Sequence, residues 1–174
     1  MTIQTITNAN VYLADTLDLM GKAEKVTLPD IEPTFEQMSG MGLVSEFEVP
    51  TGLKKMMLKL AWKSFYPDAM KHRFNFLQTT RIQIRGSLES YDSTGRSEEE
   101  TATVLATVQF SKTMLGALER AKPITGMEDE MQVHRLELST SGVQRLKFDL
   151  FANIYEVEGN DMFANFRSNL GRQG

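Results

Sequence analysis

From Thr101 to Thr113 the chain alternates with a period of two residues. Ala102, Val104, Ala106, Val108 and Phe110 hold the even positions, and the odd ones are Thr101, Thr103, Leu105, Thr107, Gln109, Ser111 and Thr113. This is the pattern of a β-strand with one apolar face and one almost wholly uncharged polar face. Fully extended it spans roughly 40 Å at ~3.3 Å per residue, beyond the usual strand of a small domain. A fold built around such a strand is an antiparallel β structure with one dry side.

The same alternation recurs along the chain. Short strands are predicted over Asn10–Ala14 and Ala23–Leu28, the second stopped by Pro29. Ile31–Met38 and Leu43–Val49 form a hairpin across Met38-Ser39-Gly40-Met41-Gly42, with Glu32, Glu36, Glu46 and Glu48 on a wet face. Leu53–Lys63 fits two readings. Met56, Leu58, Leu60 and Trp62 align as a strand, whereas Leu53, Met56, Met57 and Leu60 align as a basic amphipathic helix. Pro67 opens a short helix carrying Met70, Phe74 and Leu77. Thr80–Tyr91 alternates again, Asp92-Ser93-Thr94-Gly95 is a turn, and Glu98-Glu99-Glu100 reads as a solvated loop. After a loop holding Pro123 and Gly126, Met131–Leu138 and Val143–Glu158 pair across Ser141-Gly142. Asn160 is placed as the cap of a last helix bearing Met162, Phe163, Phe166 and Leu170, ended by Gly171. The expectation is a mainly β, two-sheet antiparallel sandwich or barrel-like unit with two short helices, one domain over residues 1–174.

Chemistry is scarce. With no cysteine, disulfides, thiolate metal sites and cysteine nucleophiles are excluded. His72 and His134 stand apart with no second ligand at metal spacing; a surface position is expected for the first and packing within a strand for the second. Ser39-Gly40-Met41-Gly42 leads into a strand, so it cannot offer a helix N-terminus to phosphate. The 11 methionines read as packing. A net charge of −4 opposes a protein that grips nucleic acid, though not one past which nucleic acid slides. The segment Met1–Thr5 lacks the basic flank and apolar block of a secretory signal, and no apolar run reaches the ~20 residues that span a bilayer. No cofactor, metal or catalytic residue is expected.

Several segments, in order, carry a family resemblance. They are Asn8–Leu13, Val26-Thr27-Leu28-Pro29, Thr34-Phe35-Glu36-Gln37, Gly40-Met41, Arg85-Gly86-Ser87-Leu88 and Tyr91-Asp92, then Lys147-Phe148-Asp149, Asn153-Ile154, Gly159-Asn160-Asp161 and Arg167–Gly171. Nearly the whole chain thus resembles the major tail tube proteins of contractile phage tails and R-type pyocins, structural relatives of the type VI secretion tube protein. It departs in having Ala14-Asp15-Thr16 where an Asp-Gly-type turn is usual, and in the basic stretch from Lys54 to Lys63. The resemblance implies a β-sandwich subunit forming hexameric rings, stacked into a hollow tube inside a contractile sheath, through which DNA passes. Its implied partners are other copies of itself, the sheath, the baseplate and tail-terminator proteins, and a tape measure protein in the lumen. Its implied place is the virion tail, after assembly in the host cytoplasm. No catalytic residues come with it.

Geometry agrees with that implication. A bore passing a duplex roughly 20 Å wide needs a wall on the order of 120 Å around, some two dozen strands at ~4.8 Å spacing. One copy cannot supply them, whereas six copies giving four strands each can. The four expected to form the ring-shaped inner barrel are Ala23–Met38, part of Leu43–Leu60, Thr101–Thr113 and Met131–Ser139. Glu36, Glu46, Glu48, Thr103, Thr107 and Gln109 are the candidate lumen residues; the alternative is that these faces meet outside solvent. Ser39, Gly40, Met41, Gly42 and Leu43 are the candidate inter-subunit arm. Two other functions would need different features. A self-contained β-barrel binding an apolar ligand needs an interior cavity, and an enzyme needs a pocket of convergent ionisable groups.

Overall fold

A computed structural model describes residues 2–171. In chain order the elements are β1 (Ile3–Leu13), β2 (Leu17–Asp18), β3 (Ala23–Thr27), β4 (Pro33–Met38), β5 (Phe47–Leu53), β6 (Met57–Trp62) and α1 (Pro67–Arg73). There follow β7 (Thr79–Asp92), β8 (Gly95–Ala117), β9 (Thr125–Thr140), β10 (Val143–Asp149), β11 (Ile154–Val157), β12 (Asn160–Asp161) and α2 (Ala164–Asn169). Every pairing is antiparallel, as the period-two pattern requires.

Two long strands organise everything else. β8 runs 23 residues and β9 runs 16, longer than a flat sheet of this size can use. Two bulges bend them. Thr107 pairs with Arg135 but Val108 pairs with Val133, so His134 is an extra residue on β9. Phe110 pairs with Met131 but Lys112 pairs with Glu130, so Ser111 is an extra residue on β8. Such insertions bend a strand and increase its twist, and here they let β8 and β9 serve two walls. Beyond the first bulge, β9 has β10 on its other edge over Arg135–Thr140; before it, β6 takes that edge over Glu128–Gln132. The first wall has the order β12-β11-β10-β9-β8-β7-β1-β2, and the second is β3-β6-β9-β8. The end strands β2 and β12 do not pair, so the sheet does not close into a barrel.

One core cluster draws on both walls, with Leu13, Leu58, Leu60, Trp62, Ile82, Val108, Met131 and Val133 all fully or nearly fully buried. The even face of β8, Ala102 to Phe110, is buried throughout, as its alternation predicts. Leu58, Leu60 and Trp62 alternate with half-exposed Met57, Lys59 and Ala61, which settles this segment as a strand. Each such large apolar side chain contributes about 1.5–3 kcal/mol by leaving water. At the far end of β8, Gly116 has φ +83°, and a Cβ there would lie 2.6 Å from the Thr125 carbonyl oxygen, so no other residue fits without strain.

Several sequence expectations are corrected. Glu98-Glu99-Glu100 is not a loop: it lies within β8, opposite Ser90, Glu89 and Leu88. Its charges have company on β8 itself, where Arg96 sits 2.6 Å from Glu99, and from outside that strand, where Ser87 donates to Glu99 at 2.6 Å and Ser141 donates to Glu100. The first strand begins at Ile3 rather than Asn10, because β7 continues to offer partners as far as Tyr91. It ends at Leu13, and Ala14 and Asp15 turn with positive φ. Leu43–Glu46 belongs to a turn, with β5 starting at Phe47. Gly126 is inside β9, and the first helix ends at Arg73, short of Phe74 and Leu77. Val143–Glu158 is broken at Leu150–Asn153, where the Asp149 carboxylate accepts the Phe151 and Ala152 N–H groups. Asn160 lies in β12 and caps nothing; Asp161 instead accepts the Phe163 N–H just ahead of α2. Among the described residues the strands number twelve, more than the sequence alone marks out, chiefly because pairing extends or divides segments whose ends carry no turn signal.

Candidate assembly surfaces

The β4–β5 hairpin stands outside the main sheet as a two-stranded sheet of its own. Its root is fixed where the Lys54 N–H donates to the Glu32 carbonyl at 2.8 Å and the Lys54 ammonium meets the Glu32 carboxylate at 2.5 Å. Beyond the root, its large apolar side chains stay uncovered by the described residues. Phe35, Met38, Leu43 and Phe47 are about half exposed, and Met41 and Val44 are fully exposed. Register puts Met38 beside Phe47 and Glu36 beside Val49 on one face, and Gln37 beside Glu48 and Phe35 beside Pro50 on the other. The expected single acidic face is thus absent: a bulge between Thr34 and Phe35 sends Glu36 and Glu48 to opposite faces, each shared with apolar side chains. No lysine or arginine occurs from Ile31 to Leu53. The five residues named as an arm, Ser39 to Leu43, form the tip, where the Leu43 N–H donates to the Gly40 carbonyl at 3.2 Å and Gly42 has φ +90°.

The second wall carries a charged ladder on its outer face. Register aligns Lys59, Glu130 and Lys112 across β6, β9 and β8. The Lys59 ammonium is 3.4 Å from Glu130 and 4.0 Å from Glu128, and Lys112 is 3.6 Å from Glu130. One row further along, Met57, Gln132 and Gln109 align. The opposite, inward face of the same stretch of β9 holds Asp129, fully buried between the two glutamates. Its carboxylate accepts Arg73 Nε at 2.6 Å, Arg73 Nη2 at 3.0 Å and Trp62 Nε1 at 2.7 Å. The Arg73 guanidinium also lies over the Trp62 ring, 4.9 Å from its centroid. This network fixes α1 against the wall and sets which β9 carboxylates point outward.

The first wall's outer face is mixed. Thr107 lies between Arg81 and Arg135, and Thr103 between Arg85 and Ser139. Those arginines are engaged: Arg81 with Asp15 at 3.3 Å, Arg135 with Glu137 at 2.6 Å, and Arg85 over the Tyr12 ring at 5.8 Å. A groove of about 720 Å3 lies where the arm root, β9, β10 and α2 meet. Leu53, Val133, Phe148, Ile154, Phe163 and Phe166 give it an apolar lining, with Lys54 and Lys55 at its rim.

The six lumen candidates therefore fall in separate places. Gln109 lies where the two walls meet, opposite Thr79 of β7 and Gln132 of β9, with its amide donating to the Phe76 carbonyl at 2.8 Å. Thr103 and Thr107 are on the first wall, Glu36 and Glu48 on the arm strands, and Glu46 in the arm turn. His134 is the extra residue of a bulge and packs edge-on against Phe151, its ring centroid 5.3 Å away, in keeping with the packing role expected of it. Sequence reasoning missed the Arg73–Asp129 pair, the ladder and the groove. For the pair a signal existed: Asp129 occupies the apolar parity of Met127, Met131 and Val133.

Among the described residues no cluster of His, Asp and Glu could hold a metal ion. Fold and surfaces together define a strand-rich building block with a projecting apolar arm. The chain belongs to the phage tail tube family described as "Phage tail tube protein FII", whose model matches residues 3–171. The family is structural, so the protein is a tail tube protein and not an enzyme. The resemblance drawn from the sequence segments is borne out. The fold is similar to a chain of the sheath-tube complex of an extracellular contractile injection system, PVC, in its extended state, at 14% identity and TM-score 0.52, covering 78% of this chain and 90% of that one. It is also similar to a chain of the PVC sheath/tube terminator structure in the extended state, at 15% identity and TM-score 0.53, covering 78% and 95%. No curated protein matches the chain.

Proposed function

We propose that this protein is the inner-tube subunit of a contractile phage or phage-like tail, forming stacked hexameric rings whose lumen conducts DNA during ejection. One observation carries the reading: the second wall is four strands wide with two unpaired borders. Among the described residues β3 pairs only with β6, and β8 beyond Phe110 has β9 on one side and no strand on the other. Open borders of this kind invite pairing with another chain. Joining β3 of one copy to β8 of the next multiplies four strands by six, the number the bore arithmetic asks for.

On this reading the outer face of the second wall meets the lumen. Its two lysines and two glutamates cancel, so the lining offers polyanions neither a cationic surface nor counterion release. Gln109 shares that face, and Glu36 and Glu48 lie on the arm that continues the β3 and β6 strands outward. Thr103 and Thr107 would face the bore only where the first wall also reaches it. The arm from Ser39 to Leu43 contacts a neighbouring copy. The outer surface meets a sheath, and the tube ends meet terminator and baseplate proteins; a tape measure protein occupies the lumen before ejection. Assembly takes place in the host cytoplasm and the product resides in the virion tail.

Electron microscopy of the concentrated purified protein tests the reading. Sixfold rings or tubes with a central channel are expected, and a persistent monomer overturns it.

A further inference from the structure

The arm and the groove are complementary, and the same molecule cannot join its own two halves. We propose that the groove beneath α2 is the receptor for the arm of a second copy. The proposal rests on the reading that copies assemble, and it adds the surface on which the arm lands.

Three observations point to this occupant. The first is reach. Leu53, at the root of the arm, lines the groove, whereas Met38 and Phe47, at its outer end, lie five register steps away, roughly 17 Å at ~3.4 Å per residue. A paired hairpin cannot fold back over that distance without breaking its ladder, so the arm that fills the groove comes from another chain. The second is chemistry. The arm carries apolar side chains on both faces, a form that a flat surface covers on one side only and a groove covers on two. The groove supplies Phe148, Ile154, Phe163 and Phe166. The third is charge. Glu36, Glu46 and Glu48 have no positive residue among them on the arm, and the groove rim presents Lys55, which has no salt-bridge partner among the described residues. Opposite charges at the rim of an apolar contact set partner and register.

Because arm and groove are different patches, each copy uses one to hold the next and the other to be held. Contacts of this heterologous kind propagate into rings or helical tubes rather than closed pairs. The arriving arm also seats against Gly52–Lys55, the root of the recipient's own arm, so occupancy of one groove orders the arm that fills the following one.

The chain has no cysteine, so an engineered pair reports its own contact without background. Val44→Cys protein carrying one tag is mixed with Phe166→Cys protein carrying another, under assembling and mildly oxidising conditions. A mixed disulfide is expected at least tenfold more abundant than that of Val44→Cys with Ser93→Cys, at the distant β7–β8 turn. A charge exchange gives the second reading: Lys55→Glu lowers assembly at least tenfold, and adding Glu46→Lys and Glu48→Lys restores it, with an unchanged monomer melting temperature in each case. If wild-type protein forms tubes but the mixed Val44→Cys and Phe166→Cys assemblies give no cross-link, or link equally to Ser93→Cys, the groove assignment is overturned and the tube reading stays intact. Wild-type protein that never assembles overturns both.

Discussion

Arg73 and Asp129 meet in a fork of two hydrogen bonds, Nε to Oδ2 at 2.6 Å and Nη2 to Oδ1 at 3.0 Å, with both side chains wholly removed from solvent. The pair ties the last residue of α1 to the strand shared by both walls. Removing one partner strands the other as a buried charge, which costs far more than the intact pair contributes. Asp129→Ala therefore lowers unfolding free energy by about 3–5 kcal/mol, read from denaturant melts. Replacing both residues with Leu recovers most of the loss. A single-variant loss below about 1 kcal/mol would show that the pair is not a structural pin.

Backbone strain gives a second contrast. Gly116→Ala places a methyl against the Thr125 carbonyl and the Met127 side chain at positive φ, whereas Gly126→Ala meets open space at φ +72°. Each forces a left-handed conformation costing about 1–3 kcal/mol, but only the first adds a collision. Thermal melts should rank Gly116→Ala well below Gly126→Ala; the reverse order contradicts the geometry at the β8–β9 turn.

Arm variants separate folding from assembly. Met41→Ser with Val44→Ser alters side chains that touch nothing in the subunit. Monomer stability should stay within about 0.5 kcal/mol of the parent, while sedimentation shows loss of large species. Undiminished tubes would mean that the arm tip is not a contact.

The ladder can be inverted. Glu128→Lys with Glu130→Lys turns all four charges of Lys59, Lys112 and positions 128 and 130 positive. If this face lines the lumen, tubes of the variant retain DNA at low salt and release it as salt rises, the mark of phosphate neutralisation. Retention equal to that of wild-type tubes removes the ladder from the bore.

Acid should loosen the C-terminal helix. The hydrogen bond from Arg167, followed by that from the Phe163 N–H, holds the Asp161 carboxyl below the usual carboxylate range. A depressed folded-state pKa contributes stability above the unfolded-state pKa, and that contribution is lost as pH falls through the folded value. Amide exchange of α2 should therefore accelerate on acidification below the ordinary carboxylate range. Asp161→Asn should abolish that pH step and leave α2 less protected at neutral pH. An unchanged acid limb in the variant would mean that another group controls it.

Much of the fold was legible because alternation reports burial directly. The even face of β8 and the clean pattern of Leu58, Leu60 and Trp62 needed no tertiary information. Segments stabilised by partners were not legible. Glu98–Glu100 looks like a loop until β7 is paired beside it and Ser87 and Ser141 donate to its carboxylates, and Ile3–Asn8 is a strand only because β7 continues beside it. Surfaces were harder still. A residue's face was readable but not its wall, since the bulges at His134 and Ser111 decide where β8 passes from one wall to the other. Thr107 and Gln109, two positions apart on one polar face, thus differ in place, the first within the first wall and the second where the walls meet.

β8 crosses from the first wall to the second as unbroken main chain. Tension applied at the rim of either wall passes to the other through covalent bonds, with no side-chain interface to slip on the way. Such a protomer carries load from wall to wall as one girder rather than as two plates glued together.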